Sequence, residues 1–199
     1  MNPYIDDYTF QLCKSFYNKY YSDDNERTLL VGINPGRFGS GTTGISFTDP
    51  IKLEKECGIT NTLIKKPELS ADFIYAMIKA YGGPEKFYNL YFISAVSPLG
   101  YTKEGKNINY YDEPGLQKTV TPFIISSING MINLGISQKK CFCIGEGKNL
   151  NFLLKLNEAH HWFEEIVPLA HPRFIMQYKR KSVNTYIDDY LLKLRKQRT

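Results

Sequence analysis

Apolar and polar positions follow two alternating periods along this chain. Residues 3–21 (PYIDDYTFQLCKSFYNKYY) place apolar side chains at helical spacing and carry an aromatic face, which predicts a helix. Residues 27–33 (RTLLVGI) form a short unbroken apolar run with a β-branched member, the pattern of a buried strand. A second helix is predicted over 70–83, with Ser70 as its cap and Gly82-Gly83 as its stop. Residues 86–96 (KFYNLYFISAV) predict the second strand. Residues 115–136 are largely helical in pattern, with Pro114 just before them. Residues 139–145 (KKCFCIG) predict the third strand, and a helix follows from about Lys148 to His160. Residues 163–170 (FEEIVPLA) predict the fourth strand, and 182–197 close the chain as an amphipathic helix.

Strands alternating with helices predict a parallel sheet covered on both faces. The expected architecture is a three-layer α/β/α sandwich with a central four-stranded parallel sheet, forming a single domain over residues 1–199. Such sheets bind ligands beyond the carboxyl ends of their strands. Three segments fall there: Asn34-Pro35-Gly36, Ser94 to Pro98, and His171-Pro172. Residues far apart in sequence therefore meet on one rim. The first rim segment runs on through residues 34–50 (NPGRFGSGTTGISFTDP), too long and glycine-rich for a simple turn, and loops of this kind carry function.

Composition changes this picture little. Apolar and charged fractions are ordinary for a globular protein, and no apolar run reaches the length of a bilayer span. The first ten residues lack the basic-then-apolar pattern of a secretory leader, so a cytoplasmic location is expected, with no membrane partner. Of the cysteines, Cys13 and Cys57 stand alone, while Cys141 and Cys143 alternate on one strand and read as buried core thiols on one sheet face. No CxxC pair is present, and neither a metal nor a cofactor is expected. The net charge of +5 matters through its distribution. Lys193, Arg195, Lys196 and Arg198 read as a solvated helix end. Arg173, Lys179, Arg180 and Lys181 follow the His-Pro turn, where a phosphate-facing role is expected.

The first rim loop, GINPGRFGSGTTGISF, resembles the first motif of the uracil-DNA glycosylase superfamily, and within it the single-strand-selective monofunctional branch. Gly32, Asn34, Pro35, Gly36, Phe38, Gly39, Thr43, Gly44 and Phe47 fit that pattern without a gap. The second motif of that superfamily, a His-Pro loop after the last strand, matches HPRFIM from His171, and a Pro-Leu pair matches Ser94 to Leu99. The resemblance implies a monofunctional glycosylase that removes uracil or related deaminated bases from DNA, a monomer needing no cofactor. Hydrolysis of an N-glycosidic bond needs a placed water and support for negative charge on the departing base. Asn34 is the residue expected to hold the water through its side-chain carbonyl, and His171 to donate to the base's carbonyl. Phe47 is expected to stack on the flipped base, with backbone N–H groups near Ile33 and Phe47 meeting its carbonyls and Gly36 leaving room. Phe174, Ile175 or Met176 would fill the gap left in the DNA stack.

Two departures from the pattern bear on base choice. The branch carries an Asn that reads the uracil edge where this chain has Ala95, and His-Pro-Ser-Pro where it has His171-Pro172-Arg173-Phe174. Ser94, Ser97 and Asn107 are candidates for a replacement reader. Asp49 before Pro50 reads as a structural turn, and His160 and His161 are assigned no role. Two rival readings stay open on sequence: a mismatch-specific glycosylase that shares the Asn-Pro-Gly start, and a non-catalytic nucleic-acid-binding module on the same fold.

Overall fold

A computed structural model describes residues 1–195; the expected solvated positions Lys196 and Arg198 lie outside the described residues. A short 3₁₀ turn leads into helix α1 (Asp7–Tyr20), which Asp6 caps by accepting the Thr9 N–H. Strand β1 (Arg27–Gly32) follows. The glycine-rich loop after it contains the single-turn helix α2 (Ser40–Thr43) and leads to α3 (Pro50–Lys55) and α4 (Leu69–Tyr81). Ser70 does not cap α4: Glu68 occupies the cap position, one residue before the helix, and Ser70 lies buried inside the first turn. The stretch predicted as the second strand divides. Gly83 and Pro84 start a short helix α5 (Pro84–Tyr88), and strand β2 occupies only Tyr91–Ala95.

A small antiparallel hairpin, β3 (Tyr101–Lys103) and β4 (Lys106–Ile108), comes next and has no counterpart in the sequence-based prediction. Pro114 opens the long helix α6 (Pro114–Asn133) rather than preceding it. Strand β5 (Ile136–Ile144) is longer than expected at its start. Helix α7 (Lys148–His160), strand β6 (Glu165–Leu169), helix α8 (Pro172–Tyr178) and helix α9 (Val183–Arg195) complete the described residues.

The four strands pair in the order β2-β1-β5-β6, all parallel. Because β1 pairs on opposite sides with β2 and β5, the chain reverses its direction of winding between β1 and β5, which is where a crevice opens at the carboxyl ends. Helices cover both faces. Leu30, Phe142, Ile144 and Leu169 pack against α1, α4 and α9 residues such as Phe16, Phe73 and Tyr190. Leu29, Val31, Cys141 and Cys143 pack against Ile124 and Ile128 of α6 and Leu153 of α7. Each face buries several large side chains completely, at about 1.5–3 kcal/mol apiece. All four cysteines are buried free thiols, and Cys141 and Cys143 share a face as expected; burial pushes the Cys141 thiol well up, so it stays protonated. No helix among the described residues is long and apolar enough to cross a membrane.

Candidate active site

A cavity of about 310 Å³ opens where β1, β2 and β6 end, and the loop after β1, the hairpin and α8 complete its walls. Gly32, Asn34, Phe47, Ala95 and His171 all line it. The placement of the Phe47 ring depends on a missing side chain. A Cβ on Gly32 would lie 2.6 Å from Cζ of Phe47, so the Phe47 ring is laid against bare backbone. Phe47 itself has φ of 52°, in the left-handed region that non-glycine residues avoid, at a cost of about 1 kcal/mol or more. That strained turn brings the ring back over the strand end. Its centroid is 6.3 Å from the His171 ring.

Asn34 is held by the hairpin exit. Its Oδ1 accepts the Tyr110 N–H at 3.1 Å, and its Nδ2 donates to the Ile108 carbonyl at 3.3 Å. Rotating the amide by half a turn would face nitrogen to a donor and oxygen to a carbonyl, so only one orientation is satisfied. An amide oxygen has two lone pairs, and one remains for a water.

His171 caps α8: its Nδ1 accepts the Arg173 N–H at 3.1 Å. The ring's proton therefore sits on Nε2, the nitrogen left as a donor. Burial, and secondarily the Arg173 charge, push the imidazole pKa down from 6.5 to about 4. The histidine is a neutral donor at physiological pH. Glu68 also lines the cavity. Burial raises its carboxyl pKa and Asp49 adds to this, while Ser70, the Ala71 N–H and Arg173 oppose it.

The chain as a whole has counterparts in sequence and structure. A model of the uracil DNA glycosylase superfamily matches residues 19–195. The crystal structure of wild-type Pedobacter heparinus SMUG2 superposes on the chain with a TM-score of 0.95 and 47% identity, covering 99% of this chain and 87% of that one. The chain belongs to the uracil DNA glycosylase superfamily. No curated protein matches it. It is a DNA glycosylase, a hydrolase of N-glycosyl bonds, and it acts on DNA containing damaged bases.

The glycosylase brings most of the sequence-assigned residues together and separates a few. Ile33, Gly36 and Ser94 line the cavity with those already described, as do Asn107, Arg173 and Phe174. Ser97 does not. It is fully buried and its hydroxyl is engaged with the Tyr101 hydroxyl at 2.7 Å and the Leu99 carbonyl, so it cannot read a base. Ile175 cannot enter DNA either. HPRFIM is helical from Pro172, which turns Ile175 into the core at 0% exposure and leaves Met176 packed against the same cluster. Phe174, 44% exposed, remains at the cavity mouth, and its ring lies 5.8 Å from that of the still more exposed Tyr178. Lys179, Arg180 and Lys181 are exposed beyond it. Asp49 caps α3, and its two carboxylate oxygens accept the N–H groups of Lys52 and Glu68.

Sequence reasoning missed the hairpin wall at Ile108 and Asn109, the Glu68 carboxyl, and Tyr178. It also missed an exposed cationic patch on the loop that follows Gly36, a cavity-lining residue. There the exposed Phe38 ring has the Arg37 guanidinium 4.7 Å and the Lys66 ammonium 4.8 Å from its centroid. The aromatic Phe38 next to Arg37 was a signal that the chain offered and that the motif reading passed over.

Proposed function

We propose that this glycosylase flips uracil and other deaminated bases into the cavity between β1 and β6 and hydrolyses their bond to deoxyribose through Asn34 and His171. The observation that carries this reading is the meeting of a clamped Asn34 carbonyl, a His171 Nε2–H donor and the Phe47 ring on one cavity. The base stacks on Phe47. The C1′–N bond breaks with both electrons passing to the base, and His171 stabilises the negative charge that gathers on its carbonyl. Water held by the free lone pair of Asn34 Oδ1 adds to the cation-like sugar carbon and releases its proton to solvent. An amide serves here because the water needs aiming more than deprotonation.

Base choice follows from the far wall. Ala95 offers no side-chain hydrogen bond, so a base need not match a fixed donor and acceptor pattern there, and larger deaminated purines compete with uracil. Ser94 and Asn107 are the surviving candidate readers: both line the cavity, and Asn107 Nδ2 lies 3.7 Å from where a Cβ on Gly36 would be. The DNA backbone is met by Arg173 of α8, by Lys179, Arg180 and Lys181 after it, and by the Arg37–Phe38–Lys66 patch, with Phe174 filling the vacated stack. The deciding experiment is single-turnover base release from oligonucleotides carrying one uracil, hypoxanthine or xanthine, with wild type and Asn34→Ala. Release of uracil and at least one purine, lost in Asn34→Ala, is expected. Release of uracil alone would overturn the relaxed preference, and full activity of Asn34→Ala would overturn the site.

A further inference from the structure

The hydrogen bonds that hold Asn34 continue away from the cavity into the core. Tyr110, whose N–H meets Asn34 Oδ1, is fully buried. Its ring packs edge-on against Tyr111 at 4.9 Å and tilted against Phe152 at 5.1 Å. Its hydroxyl donates to Asn149 Oδ1 at 2.9 Å, and Asn149 Nδ2 reaches Cys143 Sγ at 3.3 Å. Asn149 is also fully buried, in the first turn of α7. Cys143 is paired in register with Val31 on β1, the strand that leads into Asn34. The chain of contacts thus closes on itself: Val31, Asn34, Tyr110, Asn149, Cys143.

We propose that Tyr110 and Asn149 are positioning residues for base hydrolysis, which aim the Asn34 carbonyl by fixing residues 108–110 against the end of β5. This rests on the role given to Asn34 above. Beyond Ile108 the hairpin ladder ends, so the segment that clamps Asn34 has no sheet partner to hold it. Asp112 braces Asn109 from the exposed side, its carboxylate accepting the Asn109 N–H at 2.7 Å, and the Tyr110 side chain is what ties the segment to the core. Neither Tyr110 nor Asn149 lines the cavity, so neither touches a base or a water placed in it. Any effect of either residue on the reaction must pass through the residues they support. Burial pushes the Tyr110 hydroxyl pKa upward, which keeps it a donor to Asn149 at any working pH. Removing the hydroxyl leaves Asn149 Oδ1 buried without its donor and frees the segment to shift. Misplacement of a reacting group by about 1 Å costs on the order of a hundredfold in rate, so a smaller shift here should cost about tenfold.

The test uses Tyr110→Phe, which keeps the buried ring, and Asn149→Leu, each alone and combined with Asn34→Ala. Single-turnover uracil release at saturating enzyme should fall about tenfold in each single variant. Affinity for DNA carrying a non-hydrolysable uracil nucleotide should stay within about twofold, because the cavity wall is untouched. On the Asn34→Ala background neither change should slow the reaction further, since its route of action is already gone. A general loosening of the fold would instead slow both backgrounds alike, and that result overturns the proposal. So do wild-type rates in Tyr110→Phe, which decides the matter alone if Asn149→Leu does not fold. Wild-type rates in Tyr110→Phe beside a crippled Asn34→Ala overturn the relay and leave the active-site assignment standing. An unimpaired Asn34→Ala overturns both.

Discussion

His171 performs two tasks through two nitrogens, and substitution can separate them. Nδ1 caps α8 by accepting the Arg173 N–H, which leaves Nε2–H as the donor that the proposed mechanism uses. His171→Ala removes both. Loss of a helix cap costs about 1 kcal/mol of stability. Loss of one donor to a developing anion costs about 3–4 kcal/mol of transition-state stabilisation, or roughly a hundredfold to a thousandfold in rate. Asn is itself a good capping residue, so His171→Asn should keep the stability and still lose most of the rate. The pH dependence follows from the depressed pKa of about 4. Between 6.5 and 4 the unfolded chain takes up a proton at this site and the folded chain does not. Stability therefore falls as pH drops through that window, by at most about 3 kcal/mol, and is unaffected by this group above it. Base release should show no inflection near pH 6.5 from His171. Single-turnover rates from pH 8 to 5 test the kinetics. Imidazole ¹⁵N shifts test the tautomer, and with only three histidines in the chain the His171 signal is identified by its loss in His171→Asn. A rate that titrates near 6.5 with His171, or His171→Ala within a few-fold of wild type, would refute the neutral-donor role.

Further outcomes are expected at the platform, the grip and the far wall. Gly32→Ala should slow base release at least about tenfold, because the added methyl occupies the Phe47 ring position and displaces the stacking surface; a wild-type rate would mean the ring is not used. Single Gln substitutions at Arg173, Lys179, Arg180 or Lys181, and at Arg37 or Lys66, should each lower the slope of log affinity against log salt by about one unit where the cation meets a phosphate; unchanged slopes at all six would place DNA elsewhere. Phe174→Ala should weaken binding to duplex lesions more than to single strands, since only the duplex leaves a stack to fill; equal losses would argue against a wedge. Ala95→Asn should shift the ratio of uracil to hypoxanthine release toward uracil, and an unchanged ratio would show that position 95 does not face the base edge.

Much of the fold was legible because its signals are long and apolar. Four buried strands and the helices between them announce themselves by period, and the resemblance of the Gly32–Phe47 segment to the glycosylase motif is what implies roles for Asn34 and Phe47. The hairpin was not legible. Its strands span three residues each and its turn is Lys103-Glu104-Gly105-Lys106, which leaves no apolar alternation to detect. The His-Pro motif implies a loop from His171, which leaves Ile175 as free to face DNA as Phe174. Pro172 at the first helical position sets a 100° step per residue instead, and sends Phe174 outward and Ile175 inward. Ser97 failed for a different reason: its partner Tyr101 lies on the hairpin that the sequence did not reveal.

The contact between Gly32 and Phe47 has a consequence for how the enzyme's range of bases can change. The two positions share the volume of one ring, and backbone fills the space behind it. Gly32 cannot gain a side chain while the ring stays in place, so this side of the cavity resists gradual substitution. Variation in which lesions are accepted must then accumulate at Ala95, at Asn107 and along the hairpin, where side chains can change one at a time. New specificities in this lineage should arise by redecorating that flank around an unmoving floor.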